Sequence, residues 1–472
     1  MSTRDGSTVG TGAASGAAGG GASDRASSGG LAVPVAAPVE AAFAGSAAGL
    51  VDTASVLART RRRLLPVLII LFIVSYLDRV NVSFAKLTMN AALGIDDAVY
   101  AFGAGIFFIG YFLFEVPSNL ILERVGARRW IARIMITWGL VSGATAAVSG
   151  GNSFIAMRLL LGMAEAGFFP GIILYLTYWF PEAERARVIG LFMVGIPLTG
   201  LIGSPVSSLL LGLDGWLGLQ GWQWLLVLEA VPAVVLGAAC LLILPDGPTQ
   251  ASWLTPPERQ WLASTLAAER AAVQKVGRSS LRGAFSSGRV WALALVYFGI
   301  VLAVYGLGFW LPTLVHSFGI AVTRVGWITL FPFACSAPFM VWVGRHSDRK
   351  RERIWHLIGT SLLGFVGFAG ASLSEGLLPQ VCFLCLAAMG VYGTLPIFWT
   401  FPTAFLASTA AAAGIAFINS VGNLGGYFGP QIVEGITRLS GGFGPALLVL
   451  GLEMLVPVVV VLIISRRRPS RS

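Results

Sequence analysis

Long apolar runs with few charged residues dominate this chain of 472 residues and restrict the folds that it can adopt. We count twelve such runs, each roughly 20 residues or longer, which is enough for an α-helix to cross a lipid bilayer. Because backbone groups inside lipid must be hydrogen-bonded within the segment, and the runs are too long for barrel strands, we expect helices. The predicted spans are 64–85, 99–122, 130–149, 153–178, 188–212, 223–245, 290–314, 325–344, 355–373, 379–401, 412–436 and 443–465.

The charge distribution predicts how these spans are oriented. Only 11% of the residues are charged, whereas a soluble domain usually has about 25%. The formal net charge of +10 could suggest a nucleic-acid partner, but the basic residues gather at one side of the predicted membrane. If the N-terminus is inside, the outer loops and ends hold only Lys86, Arg324 and Arg438. This asymmetry predicts a lipid bilayer as the partner, no nucleic acid, and both termini in the cytoplasm.

The order of spans and polar stretches predicts two six-helix bundles, at 59–245 and 289–466. Residues 1–58 are rich in Gly, Ala, Ser and Thr and have few large apolar side chains, so we predict a disordered cytoplasmic tail. Residues 467–472 form a second, short cytoplasmic tail. The two bundles are joined by a cytoplasmic linker at 246–288.

The linker contains the pattern of one surface helix. Thr255 followed by two prolines and Glu258 is typical of a helix start, with Pro in the first turn. From there to Lys275, the residues Trp261, Leu262 and Leu266 lie on one side of a helical pattern. We therefore predict an amphipathic helix that tethers the two bundles.

A charged hairpin recurs in the two halves of the chain at a constant offset of 225 residues. The repeated sets are Glu123, Arg124 and Arg128 in the first half and Asp348, Arg349 and Arg353 in the second. Two related bundles are an architecture found mostly in secondary transporters, whose substrate site lies between the halves. We predict that these residues form a cytoplasmic gate, in which an acid pairs with basic groups of a neighbouring helix in one state. The alternative is that the arginines only set the topology.

Four ionisable residues lie inside predicted spans one and four. They are Asp78, Arg79, Arg158 and Glu165. An ionisable group at bilayer depth is a functional hypothesis by default because its burial is costly. Arg158 and Glu165 share one face of a helix, about 10 Å apart along its axis. We expect all four to meet in one water-accessible hollow.

These four charges can serve either of two purposes. They can neutralise one another in a static network of buried salt bridges. Alternatively, a carboxyl group in a low-dielectric site can take up a proton near neutral pH and release its Arg partner. The planar guanidinium would then bind both oxygens of a substrate carboxylate. The second interpretation links proton binding to anion binding, as symport requires.

Other chemistry-bearing residues give no catalytic or metal-site pattern. The four cysteines lie within apolar spans, and we predict a structural role for each. The three histidines lie at or near the membrane borders without an acid or cysteine cluster. We find no phosphate-binding loop and no Ser-His-Asp arrangement, so an enzyme or an ATP-driven pump is not expected. These residues are Cys240, Cys335, Cys382, Cys385, His316, His346 and His356.

Four runs in the first half resemble the anion:cation symporter family of the major facilitator superfamily. They are Tyr76–Asn81 (YLDRVN), Gly105–Asn119 (GIFFIGYFLFEVPSN), Trp130–Gly139 (WIARIMITWG) and Gly162–Pro181 (GMAEAGFFPGIILYLTYWFP). The repeated hairpin also resembles the loop signature of this superfamily, although Asn119 replaces the leading Gly and Glu123 the acidic Asp. The likeness extends from about 64 to 465 and is most specific in the first half.

The resemblance implies a twelve-helix major facilitator fold and assigns roles to single residues. It implies that Asp78 and Glu165 handle protons, that Arg79 contacts the substrate carboxylate, and that Arg158 belongs to the same network. It places Tyr76 and Tyr111 at the cavity. In the second half it implies contacts to substrate hydroxyls, and the residues concerned are Trp399, Thr400 and Asn419.

We predict from these patterns a proton-coupled importer of a small organic carboxylate, such as tartrate, an aromatic acid or a sugar acid. It would work by alternating access as a monomer in a bacterial inner membrane, with protons as the coupling ion and no cofactor or metal. The alternatives are an antiporter or facilitator for a neutral or drug-like solute, and a membrane sensor without transport. Four further acids near the spans receive no role: Glu115, Glu229, Glu434 and Glu453.

Overall fold

A computed structural model describes residues 51–275, 287–405 and 411–466. Within these ranges we number thirteen helices, α1 to α13. Their bounds are α1 Thr53–Leu93, α2 Asp97–Val125, α3 Ala127–Ala144, α4 Gly151–Thr177, α5 Glu182–Leu211, α6 Gly221–Ile243, α7 Pro256–Lys275, α8 Gly288–His316, α9 Val322–Lys350, α10 Ile354–Leu373, α11 Leu377–Pro402, α12 Ala411–Ser440 and α13 Phe443–Ile463. Of the tails predicted at 1–58 and 467–472, residues 1–50 and 467–472 lie outside the described residues.

Each of the twelve predicted spans corresponds to one helix, although some spans extend a few residues beyond the end of their helix, so the prediction of an all-helical membrane fold is confirmed for the described ranges. Ten of these helices are long and apolar enough to cross a membrane by length and composition. The other two are less apolar. α3 begins with a group of arginines that includes Arg128, Arg129 and Arg133, and the apolar residues of α12 are interrupted by amides such as Asn419 and Asn423.

α1 begins earlier than the apolar run that it contains. Asp52 caps it, since Asp52 Oδ1 accepts a hydrogen bond from the Ser55 N–H at 3.2 Å. The helix therefore includes residues 53–58, which the sequence pattern assigns to the tail. We call the side at which α1 begins the inner side and the opposite side the outer side.

The six helices of each half pack into a bundle, and the two bundles contact each other along paired helices. In the first bundle α3 packs against α6 and α2 against α4, and in the second α8 packs against α12 and α10 against α11. Between the bundles, α5 packs against α9 and α2 against α12. The α5–α9 contact requires glycine, because a Cβ atom on Gly326 would lie 1.9 Å from the Ser204 carbonyl oxygen. The closest packing between the bundles thus involves their outer halves.

The linker helix α7 is docked on the first bundle. Its apolar side is buried through Leu262 and Leu266. The Thr255 N–H donates to Glu258 Oε2 at 2.9 Å, and the guanidinium of Arg59 pairs with the same carboxylate. These two donors hold the pKa of Glu258 below its usual range. Glu269 Oε1 also accepts a hydrogen bond from the Glu182 N–H at 3.2 Å. This part of the linker is therefore a helix that is attached to the first bundle.

Candidate functional site

A central cavity lies between the two bundles and is lined by both. Helices α1, α2, α4 and α5 contribute from the first bundle, and α8, α11 and α12 from the second. Most of the lining is aromatic or aliphatic, with one guanidinium, several phenol hydroxyls and two amides. The lining residues are Phe72, Tyr76, Arg79, Tyr111, Phe169, Met193, Ile196, Tyr297, Val301, Val304, Tyr305, Leu395, Asn419 and Asn423.

Arg79 is the charged group of this cavity and is held from both bundles. Its Nη2 forms an ion pair with Glu165 Oε1 of α4, and its Nη1 donates to the Tyr305 hydroxyl of α8 at 2.8 Å. Ser75, one turn before Arg79 on α1, donates to the same Glu165 oxygen at 2.9 Å. The Glu165 side chain is fully buried, whereas 12% of the Arg79 side chain is exposed. The guanidinium therefore separates the acid from the cavity.

Aromatic rings surround the guanidinium on its other sides. The Arg79 Cζ atom lies 5.1 Å from the ring centroid of Phe107, 5.2 Å from that of Tyr111 and 5.9 Å from that of Tyr76. A cation within about 6 Å of an aromatic face is attracted by the ring quadrupole. The rings thus stabilise the cation inside the bundle while adding no second negative charge.

The Asp78 side chain points away from the cavity, into the first bundle. Three neutral donors bind its carboxylate: Trp138 Nε1 at 2.8 Å and the Ser142 hydroxyl at 2.9 Å, both from α3, and Asn81 Nδ2 at 3.4 Å. Consecutive helix residues point about 100° apart, so Asp78 and Arg79 reach different surroundings. Asp78 is fully buried and is not among the residues that line the cavity.

Arg158 is also enclosed by the first bundle. Only 1% of it is exposed, and its Cζ atom lies 5.1 Å from the ring centroid of Phe107. Its Nε and Nη2 atoms make no hydrogen bond with any described residue. The expectation that all four charged residues meet in one hollow is therefore wrong. Arg79 lines the cavity, and Glu165 is linked to the cavity through its ion pair with Arg79. Asp78 and Arg158 lie further inside the first bundle and do not line the cavity.

In the second bundle, Asn419 lines the cavity and is oriented across the bundle interface. Its Nδ2 donates to Glu115 Oε1 of α2 at 2.8 Å, and the Ser420 hydroxyl donates to the other oxygen at 3.5 Å. Trp399 packs edge-on against Tyr297 at a centroid distance of 4.9 Å. The Thr400 hydroxyl donates to the Ile397 carbonyl at 2.7 Å. Neither Trp399 nor Thr400 is among the lining residues.

Three of the six hairpin residues form ion pairs in the described part of the chain. Arg353 Nη2 lies 2.5 Å from Asp348 Oδ1 in the same hairpin, and Arg128 Nε lies 3.5 Å from Asp246 Oδ2, just beyond α6. The side chains are exposed for Glu123, Arg124 and Arg349. Neither pair connects the two bundles in this conformation, because one joins residues of the same hairpin and the other joins α3 to the start of the linker. The gate function of these residues stays a prediction.

Sequence reasoning missed several residues that shape the site. Tyr305 binds Arg79, Ser75 binds Glu165, and Trp138 with Ser142 binds Asp78. A signal was available for Tyr305, because a phenol hydroxyl inside an apolar span requires a hydrogen-bond partner. The other three carry no local pattern that distinguishes them from packing residues.

Comparison with known proteins places the chain among membrane transporters. Residues 68–430 match the sequence profile of the Major Facilitator Superfamily. A protein of Agrobacterium vitis named "Putative tartrate transporter" is 49% identical over 417 residues, which cover 88% of this chain and 96% of that protein. A "Quinolone resistance transporter" of Acinetobacter baumannii is 40% identical over 403 residues, covering 85% and 93%.

A solved structure has the same fold at low sequence identity. It is the crystal structure of a bacterial homolog to the human lysosomal transporter Spinster, in an inward-facing and unoccupied conformation. The TM-score is 0.69 at 18% identity, and the match covers 88% of this chain and 99% of the other.

Proposed function

Since this chain belongs to the major facilitator superfamily, we propose that it is a proton-coupled importer of a small organic carboxylate. Membership makes it a multi-pass membrane transporter rather than an enzyme. The proposed coupling ion is the proton, the proposed location is a bacterial inner membrane, and the basic residues of the inner loops favour cytoplasmic termini.

The observation that carries the proposal is the position of Arg79. Its guanidinium lines the cavity between the bundles, is partly exposed there, and is held by a buried acid and a phenol. A guanidinium presents five N–H donors in a planar fork that matches a carboxylate, and the two bonds to Glu165 and Tyr305 leave donors over. A carboxylate substrate therefore finds a cation at the centre of the transport pathway.

The Arg79–Glu165 pair supports proton coupling through charge balance. A buried ion pair that receives a second anion holds one uncompensated negative charge, which is costly at low dielectric. If Glu165 takes up one proton, Arg79 is free to bind the substrate carboxylate and the charges balance again. Proton and anion thus favour each other's binding, which is the positive coupling that symport needs.

The remaining lining of the cavity favours a substrate with hydroxyl or other polar groups beside its carboxylate. Asn419 and Asn423 lie opposite Arg79 across the bundle interface, and Tyr76 and Tyr111 add hydroxyls. The relative from Agrobacterium vitis is named for tartrate, a dicarboxylate with two hydroxyls. Tartrate is therefore the first substrate to test, ahead of sugar acids and aromatic acids.

Transport in proteoliposomes tests this function. Purified protein would be reconstituted with an acidic exterior, and the uptake of labelled tartrate would be compared with uptake at equal pH. We expect accumulation above the outside concentration for the wild type and its loss for Glu165→Gln, which keeps the size of the side chain but cannot carry a proton. Glu375→Gln is the matched control, because this exposed acid lies between α10 and α11 and does not line the cavity. Full accumulation by Glu165→Gln would refute the proton role of Glu165.

A second candidate is the antiport of a drug-like solute, which one relative favours through its name as a quinolone resistance transporter. The same vesicles separate the two functions. Arg79→Ala should abolish carboxylate uptake, whereas a carrier of neutral solutes would lose little. Quinolone movement driven by the pH gradient, together with no tartrate uptake, would favour the second candidate.

A further inference from the structure

A second buried acid, Glu229 of α6, lies apart from the central cavity. It is 3% exposed, and the hydroxyl of Ser207 on α5 donates to its Oε1 at 2.6 Å. Its Oε2 has no hydrogen-bond partner among the described residues. A carboxylate that is buried with one unsatisfied oxygen and without a cation partner is costly. The proposed function gives this residue no role.

Glu229 is connected to Asp78 through α1. The Asn81 amide donates to Asp78 Oδ1 at 3.4 Å, and the side chains of Asn81 and Asp78 both lie close enough to the Glu229 carboxyl to act on its charge. Asp78 is the charged group that faces Glu229 from α1, and α5 presents Ser207. From α3, the groups at this cluster are the neutral donors Trp138 and Ser142, both bound to Asp78. Two acids in one low-dielectric cluster cannot both ionise without mutual repulsion.

The same cluster reaches a second pocket on the outer side. Ser207 lines this outer pocket together with Ser83, Ser204 and Thr329. Tyr76 lines both pockets and therefore lies between them. A polar connection thus runs from the outer pocket through Ser207 to Glu229 and its neighbour Asp78, neither of which lines the substrate cavity.

We propose that Glu229 is a further proton-carrying acid, which shares one proton with Asp78 and exchanges it with the outer pocket through Ser207. The Ser207 oxygen takes a proton from a hydronium ion in that pocket, which becomes water, as its own hydroxyl proton passes to Glu229 Oε1, so no charge is left on the hydroxyl or in the pocket. The hydrogen bond from the Asn81 amide holds the Asp78 carboxyl in its position near Glu229. The proposal rests on the proposed proton coupling and adds a separate proton route to it.

Infrared difference spectroscopy on the purified protein tests this directly. The wild type at neutral pH should show the C=O band of a protonated carboxyl group, and this band should titrate as the pH is raised. Glu229→Gln should remove or shift the band. Glu453→Gln is the matched control, because Glu453 lies within α13, away from this cluster, and its replacement should leave the band in place. An unchanged titrating band in Glu229→Gln would overturn the proposal.

Vesicle transport then separates this inference from the function on which it rests. Glu229→Gln should lose pH-driven tartrate accumulation to a greater degree than tartrate exchange at equal pH, and Ser207→Ala should show the same bias with less disturbance of packing. A wild type that is driven by the pH gradient, with Glu229→Gln driven equally well, refutes the role of Glu229 alone. A wild type that ignores the gradient refutes the proposed proton coupling and this route with it.

Discussion

Replacing Arg79 with Lys tests whether the geometry of the guanidinium, and not only its charge, binds the substrate. Lys keeps the positive charge beside Glu165, so the acid is not left unpaired, which would by itself cost about 3–5 kcal/mol. What Lys loses is the planar fork, which allows Arg79 to hold Glu165 and Tyr305 and still present donors to the cavity.

The size of the effect follows from the hydrogen bonds that are lost. An ammonium group in place of the fork gives up one of two parallel bonds to a carboxylate, and a hydrogen bond to a charged group contributes about 1.5–3 kcal/mol. At about 1.4 kcal/mol per factor of ten, tartrate affinity should fall roughly 10- to 100-fold. The fold should remain intact, because the ion pair with Glu165 is kept.

Calorimetric titration with tartrate in detergent measures the affinity, and thermal unfolding of the same samples measures stability. Arg133→Lys is the matched control. The Arg133 Cζ atom lies 3.8 Å from the centroid of the Trp130 ring, and Arg133 does not line the cavity. This substitution should leave the affinity unchanged, because Arg133 does not line the cavity. Equal affinities for Arg79→Lys and the wild type, or equal losses in both variants, would refute the reasoning.

Two further predictions concern the outer contacts between the bundles. Gly326→Ala should lower the melting temperature, because its Cβ atom would overlap the Ser204 carbonyl and overpacking costs about 1–3 kcal/mol. Gly435→Ala is the control, because a Cβ atom at Gly435 would meet open space. Equal melting temperatures for the two variants would contradict this packing. Lys86→Met should weaken the outer closure, because Lys86 Nζ lies 3.8 Å from the centroid of the Trp310 ring across the interface, a contact of about 1–2 kcal/mol. Faster labelling of cysteines introduced at the outer side would show this, and unchanged labelling would exclude it.

The sequence predicted the helices well because the bilayer leaves few choices. A run of about 20 apolar residues in lipid must be helical, so composition alone located every span. The start of α1 was missed, since Asp52 caps a polar turn that carries no apolar signal. The docking of α7 was missed in part, because its contacts to Arg59 and Glu182 depend on where the first bundle presents these residues.

The candidate site was predictable as a set of residues but not as a set of contacts. Asp78 and Arg79 are unusual at bilayer depth, and that alone marked them. Which acid pairs with Arg79 depends on the rotation of α1 within its bundle, and no periodicity of a nearly uniform apolar helix fixes that rotation. The partners Tyr305 and Asn419 are hundreds of positions from Arg79 and Glu115, so only the assembled bundles bring them together.

The split between Asp78 and Arg79 suggests how transport and proton movement are kept apart yet linked. Arg79 bonds across the interface to Tyr305, so this contact must break when the bundles rock against each other. The partners of Asp78, by contrast, lie within the first bundle, and that cluster can move as one body. The contacts of the substrate site therefore change between the conformations of the transport cycle, whereas Asp78 and its partners move together with the first bundle. Because Arg79 and Asp78 are adjacent on one helix, a shift of α1 that frees the guanidinium also changes the surroundings of the acid behind it.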